Sequence, residues 1–191
     1  MSGFAFTDLE TTGLSESDDR ITQIAAIRTD ENFKIRGVFK MHVYLPDEIE
    51  LSDYAREITG ITRESLQREP PEEIVIRAYL DFCYSDDPLV FAAYNKQFDM
   101  RMIIAACHRY PGMYELFKKR IKTPAYCVMK AAEEHLPDVP RIYREDGKYS
   151  QYKLELVAKH LGIRIKPHDA LEDIAATLKI AKHIRRIKGG R

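Results

Sequence analysis

The run Leu89-Val90-Phe91-Ala92-Ala93 is apolar at every position and follows directly on the break made by Asp87-Pro88. A strand of that kind has no polar face to turn toward water, so it must be covered on both sides. The chain supplies the cover. Apolar residues recur at helical spacing over Phe98 to Tyr110, about Tyr126 to His135, Lys153 to Leu161 and Ala170 to Lys188. Earlier in the chain the pattern is different. Phe4 to Asp8 and Ile21 to Arg28 read as strands, and Val38, Lys40, His42 and Tyr44 alternate with Phe39, Met41, Val43 and Leu45 as a third. Short polar connections between these three imply an antiparallel meander. Pro70-Pro71-Glu72-Glu73 then opens a helix reaching about Tyr84, with proline in its first turn. A meander followed by alternating strands and helices predicts an α/β fold: a mixed sheet, antiparallel meander plus parallel strands, flanked by helices. A length of 191 residues suits one domain, so residues 1–191 are expected to form a single unit with a substantial core. No internal repeat is present, and the only long loop expected is Pro137 to Tyr152.

The chemistry is concentrated where strands and helices begin and end. Asp8 and Glu10 follow the apolar run Phe4-Ala5-Phe6. Residues two apart on a strand share a face, so both carboxylates project together from one edge of the sheet. Two acids side by side repel one another, and a cation is what makes such a pair tolerable. All-oxygen ligands favour a hard ion, magnesium or manganese, over zinc. Near the other end, His168-Asp169-Ala170-Leu171-Glu172-Asp173 reads as a helix start with Asp169 as N-cap and Glu172 completing a capping box. The residues flanking such a box are usually an apolar staple, but here they are His168 and Asp173. An imidazole beside a carboxylate packs poorly and suits a general base next to a metal ligand.

These pieces resemble the DEDDh 3′–5′ exonucleases of the DnaQ-like superfamily, whose fold is of the ribonuclease H type. Phe6-Thr7-Asp8-Leu9-Glu10-Thr11-Thr12-Gly13-Leu14 is similar to the first exonuclease motif, Ala93-Tyr94-Asn95-Lys96-Gln97-Phe98-Asp99 to the second, and His168 to Asp173 to the third. Ile58-Thr59-Gly60-Ile61-Thr62 resembles the segment that packs on the terminal nucleotide, and Tyr152-Lys153-Leu154-Glu155-Leu156 the helix before the last motif. His168, five residues before Asp173, fits the histidine subclass. Tyr94 and Thr59 stand where many relatives carry histidine, which bears on substrate preference and not on the metal ligands.

The resemblance implies a two-metal phosphodiesterase using two Mg²⁺ or Mn²⁺ ions, with Asp8, Glu10, Asp99 and Asp173 as ligands and His168 as base. It implies that nucleoside 5′-monophosphates leave from single-stranded or frayed DNA 3′ ends. Trimming of RNA 3′ ends, an oligoribonuclease-like activity, or a non-catalytic nucleic-acid-binding domain of the same fold are the alternatives. Thr11, Thr12, Gly13 and Leu14 would offer backbone groups to the terminal nucleotide, with Ile58 and Ile61 as wedges against its base. Core packing competes for both isoleucines and for Phe98, and Asn95 could either touch substrate or cap its helix. Replication or repair proteins are conceivable partners. Proofreading subunits commonly carry a polymerase-binding extension, and this chain ends soon after the last motif, so stable polymerase attachment is the less expected arrangement.

Charge balance sets how such a substrate is held. Thirty basic and thirty acidic side chains give a net charge of zero, so nucleic acid must be met by local patches. The loop interleaving Arg141, Arg144, Lys148 and Lys153 with Tyr143, Tyr149 and Tyr152 is one candidate, and Lys179, Lys182, Arg185, Arg186, Lys188 and Arg191 form another. Cys83, Cys107 and Cys127 lack metal-site spacing and read as core residues. The absence of an apolar stretch of membrane length or a secretory signal leads to the expectation of a cytoplasmic protein.

Overall fold

The computed structural model describes residues 2–143, 149–150, 152–166 and 168–189. Strands β1 (Phe4–Thr11), β2 (Ile21–Thr29) and β3 (Ile35–His42) come first, followed by helices α1 (Asp53–Thr59), α2 (Arg63–Leu66) and α3 (Glu72–Phe82). Then come β4 (Leu89–Ala93), α4 (Lys96–His108), α5 (Met113–Arg120), β5 (Ile121–Cys127) and α6 (Val128–His135). The short pair β6 (Ile142–Tyr143) and β7 (Tyr149–Ser150) precedes α7 (Leu154–His160) and the long α8 (Ala170–Gly189).

Among the described residues the main sheet has five strands in the order β3-β2-β1-β4-β5. β1–β2 and β2–β3 pair antiparallel, whereas β1–β4 and β4–β5 pair parallel. This is the mixed sheet that the sequence implies. The run Leu89 to Ala93 is a central strand, and Phe91, Ala92 and Ala93 are fully buried because helices lie on both faces. On one face Ala5, Leu9, Ile24 and Phe91 pack with residues of α3, α4 and α5 such as Tyr79, Ile103 and Phe117. On the other, Phe6, Ala25, Ile27 and Ala92 pack with Val128 of α6, Val157 of α7 and Ile174 and Leu178 of α8. The strict two-residue alternation of β1 therefore assigns Ala5 and Leu9 to one layer and Phe6, Asp8 and Glu10 to the other.

Several elements escape a reading by pattern. β5 contains Pro124 and a run of three exposed residues, as an edge strand can, and its ladder to β4 shifts register between Val90 and Ala92. The helices α1, α2 and α5, of seven, four and eight residues, are too short to carry a periodic signal. The expected Pro137 to Tyr152 loop contains the hairpin strands β6 and β7. The third strand ends at His42: the Val43 N–H still donates to Thr22 O of β2, but the Tyr44 N–H turns away to Pro70 O. All three cysteines are buried.

Candidate active site

Cross-strand pairing builds the floor of the site. Asp8 pairs with Ala25, which pairs with Lys40; Glu10 pairs with Gln23, which pairs with His42. Directly opposed residues point to the same face, so Asp8, Glu10, Gln23, Lys40 and His42 all belong to the face that α8 covers. A register shift between Glu10 and Thr11 then ends the regular ladder at the site, and an irregularity of this kind re-aims the side chains beyond it.

α8 crosses this face with Ala170 and Ile174 in the core, which brings Asp173 down on the strand acids. Ligand atoms of Asp8, Glu10 and Asp173 lie within 4.8 Å of one another. Asp99 arrives over the strand ends, in the first turn of α4, and is 4% exposed.

The four carboxyls resist ionisation together. Burial, then the charges of Asp99, Asp173 and Glu10, hold Asp8 well above the usual carboxylate range. Burial pushes Asp99 up to about 8 against the pull of the Leu9 backbone N–H. Glu10 is pushed up to about 7 by burial and by Asp173 and Asp169, with Lys40 opposing. Asp173 is pushed up to about 6, mainly by burial. Asp173 Oδ2 accepts the His168 backbone N–H at 3.1 Å, while Oδ1 is buried with no hydrogen-bond partner among the described residues. An orphaned carboxylate oxygen facing two further carboxylates fits a hard divalent cation. The same donor set lacks the sulfur and nitrogen ligands that zinc favours.

The mouth of α8 departs in one respect from the sequence reading. Asp169 is the N-cap, accepting from Leu171 N at 3.0 Å and Glu172 N at 3.3 Å. The expected return bond of Glu172 is not among the described hydrogen bonds; the bond that closes the turn runs from the His168 N–H to Asp173. His168 adopts φ 67°, a left-handed conformation uncommon for a side chain with Cβ. Such strain persists where the surroundings hold it, and it clusters at functional sites.

The loop after β1 is organised by Asp19, which sequence inspection does not single out. Its carboxylate accepts from Thr12 Oγ1 at 2.7 Å and Ser15 N at 2.8 Å. A Cβ on Gly13 would meet that carboxylate at 2.5 Å, so a side chain here would have to displace a group that two hydrogen bonds hold. Thr12 is buried and Thr11 Oγ1 donates to Gly13 O at 2.6 Å, so both threonine side chains serve the loop itself. Leu14 is 75% exposed. Ser52, the N-cap of α1, donates to Thr12 O at 2.9 Å and ties this loop to the Ile58–Ile61 segment.

The remaining expected contacts divide. Ile61 is packed with Leu45 and Leu66, as core, whereas Ile58 is half-buried. Phe98 packs at the edge of the core. Asn95 sits at the cap position of α4 without a side-chain cap bond and is exposed, which leaves its amide for other partners. Tyr94 turns inward and donates to Tyr152 O at 2.8 Å; Tyr152 in turn donates to Leu136 O at 3.2 Å. Of the basic segments, Arg144, Lys148 and Arg191 lie outside the described residues, as does the side chain of Tyr149. Arg185 donates to Asn32 Oδ1 at 2.7 Å and stacks on Phe33, so part of the C-terminal basic face holds α8 against the β2–β3 turn.

The chain is similar to known proteins over most of its length. The chain is 27% identical over 176 residues to the PolC-type DNA polymerase III of Clostridium perfringens, covering 92% of this chain and 11% of the polymerase. It is 26% identical to the DNA polymerase III subunit epsilon of Aquifex aeolicus over 93% of this chain and 77% of that subunit. Among solved structures, Escherichia coli Exonuclease I in complex with a dT13 oligonucleotide superposes with a TM-score of 0.83 at 26% identity, covering all of this chain and 42% of the other. The chain thus spans a small part of the polymerase and less than half of Exonuclease I. The exonuclease family model, RNase T, matches residues 5–181, a span that contains every acidic residue of the site, and the chain belongs to that DnaQ-like exonuclease family.

Proposed function

We propose that this chain is a divalent-metal-dependent 3′–5′ exonuclease that releases nucleoside 5′-monophosphates from single-stranded or frayed DNA ends. The observation that carries the reading is the convergence of Asp8, Glu10 and Asp173 within 4.8 Å, with Asp99 buried alongside and one Asp173 oxygen unpartnered. Residues 1–191 act in this reading as one exonuclease domain. DNA is favoured over RNA because the similar proteins are a DNA polymerase, a DNA polymerase subunit and an exonuclease in complex with a DNA oligonucleotide. The likeness to a polymerase subunit also favours partners in replication or repair. Among the described residues no helix is long and apolar enough to cross a membrane.

Two Mg²⁺ or Mn²⁺ ions, when bound, supply Lewis acidity toward the phosphodiester and its leaving oxygen. Asp8, Glu10, Asp173 and Asp99 would hold the ions, Asp8 being the carboxylate that feels the charges of the other three. His168 takes the proton of the attacking water on an imidazole nitrogen, from a position that the Asp169 cap and the Asp173 carboxylate define. Backbone groups of Thr11 to Leu14 receive the terminal nucleotide and its 3′-OH. Leu14, Ile58 and Phe98 bear on its base, and Asn95 offers its exposed amide to the strand.

A labelled single strand incubated with Mg²⁺ or Mn²⁺ should lose mononucleotides from its 3′ end, and excess chelator should stop the release. Matched DNA and RNA oligomers in the same assay separate the deoxyribonuclease from the RNA trimmer. Undiminished release in chelator would refute the metal-dependent mechanism, and no release under any condition would leave a binding domain.

A further inference from the structure

Lys40 lies in the same cross-strand row as Asp8, two strands away, on the sheet face that α8 covers. Strands lie about 4.8 Å apart, so a lysine stem in this row reaches the space above the acids. There Lys40 Nζ meets Asp169 Oδ2 at 2.6 Å, with the two side chains 31% and 35% exposed. Asp169 is at once the N-cap of α8 and the neighbour of His168. In the next row the buried Gln23 does similar work: its Oε1 accepts the Ala170 N–H at 3.2 Å, and its Nε2 is hydrogen-bonded to the His42 ring. Two side chains of the meander therefore grip two successive residues, Asp169 and Ala170, at the mouth of α8. The chain that leads into this mouth, residues 163–166, has no helix or strand of its own, and His168 is held at φ 67°. Core packing of Ala170 and Ile174 seats α8 on the sheet, and a pair of side chains from β2 and β3 pins its mouth, and with it His168, beside Asp8 and Glu10.

We propose that Lys40 is a positioning residue for the nuclease reaction: by clamping the Asp169 carboxylate it fixes His168 and Asp173 over the strand acids. The inference rests on the exonuclease reading of the site. A half-exposed ion pair adds little to stability, whereas a misplacement of about 1 Å in a catalytic group costs up to ~10²-fold in rate. The clamp therefore registers in turnover and not in melting.

The test compares Lys40→Met, Lys40→Arg, Asp169→Asn and the double variant Lys40→Met with Asp169→Asn on a labelled single strand. Lys40→Met should lower kcat by about 10- to 100-fold, leave KM within about twofold and shift Tm by no more than about 3 °C. Lys40→Arg should recover most of the loss. Asp169→Asn keeps the helix cap but removes the charge of the pair and should lower kcat in the same direction as Lys40→Met, and the double variant should fall no further than Lys40→Met, in which the contact is already lost. A raised KM in Lys40→Met with normal turnover in Asp169→Asn would make Lys40 a substrate-phosphate contact and overturn the proposal. Wild-type kcat in Lys40→Met would overturn it as well. Amide hydrogen exchange gives a readout that needs no turnover: Ala170 to Asp173 should exchange faster in Lys40→Met. Unchanged protection there would refute the clamp even if the wild-type protein degraded no strand, a result that would refute the exonuclease reading separately.

Discussion

Removing divalent metal should make the folded protein progressively less stable as pH rises from 5 to 8. Each carboxyl of the site ionises at a higher pH when folded than when unfolded. Between the two values the folded state holds more protons, so its stability falls as pH increases. Glu10 sets the scale. Its carboxyl moves from an ordinary 4.5 to about 7, and at ~1.4 kcal/mol for each pH unit between those values it withdraws about 2.5 kcal/mol from pH 5 to pH 8. Asp8, Asp99 and Asp173 act in the same direction, but the four share their repulsions, so Glu10 alone gives a floor. For a domain of this size that is a drop in Tm of about 5–10 °C. Melting of chelated protein at pH 5, 6, 7 and 8, with and without Mn²⁺, measures it. Mn²⁺ should abolish most of the slope, and the double variant Asp8→Asn with Glu10→Gln should flatten it without metal. A chelated wild-type protein whose Tm held level or rose across this range would refute the argument, because the acids would then not be uncompensated charges.

Three further outcomes are expected. Asp8→Ala should abolish nucleotide release while raising the Tm of chelated protein at pH 8; near-normal kcat would remove Asp8 from the mechanism. His168→Ala should lower kcat by about 10²–10⁴-fold, with metal affinity by calorimetry retained; unchanged kcat would make His168 a structural residue of the helix mouth. Gly13→Ala places a methyl 2.5 Å from the Asp19 carboxylate and should cost about 1–3 kcal/mol together with a raised KM for strand ends, both read from melting and steady-state kinetics.

The acids, their motifs and the mixed sheet are legible in the chain because each rests on a short-range rule. Alternation along β1 puts Asp8 and Glu10 on one face, the continuous run Leu89 to Ala93 demands cover on both sides, and Asp169 caps a helix wherever that helix lies. Ile61 and Phe98 show where such rules end, since an apolar side chain beside a motif reads equally as wedge or as core until its neighbours are known. Thr12 reads as offering its backbone to a strand end, and only the fold shows where its side chain goes, inward to Asp19. The partners of Tyr94 and Asp169 are of the same kind: Tyr94 finds Tyr152 across 58 residues and Lys40 finds Asp169 across 129. Sequence determines which residues a strand or helix presents together, because that arises from periods of two and 3.6 residues. Which element faces which, how far Asp173 stands from Asp8, and what holds His168 in place depend on strand order and register, and contacts so distant in sequence leave no local pattern to read.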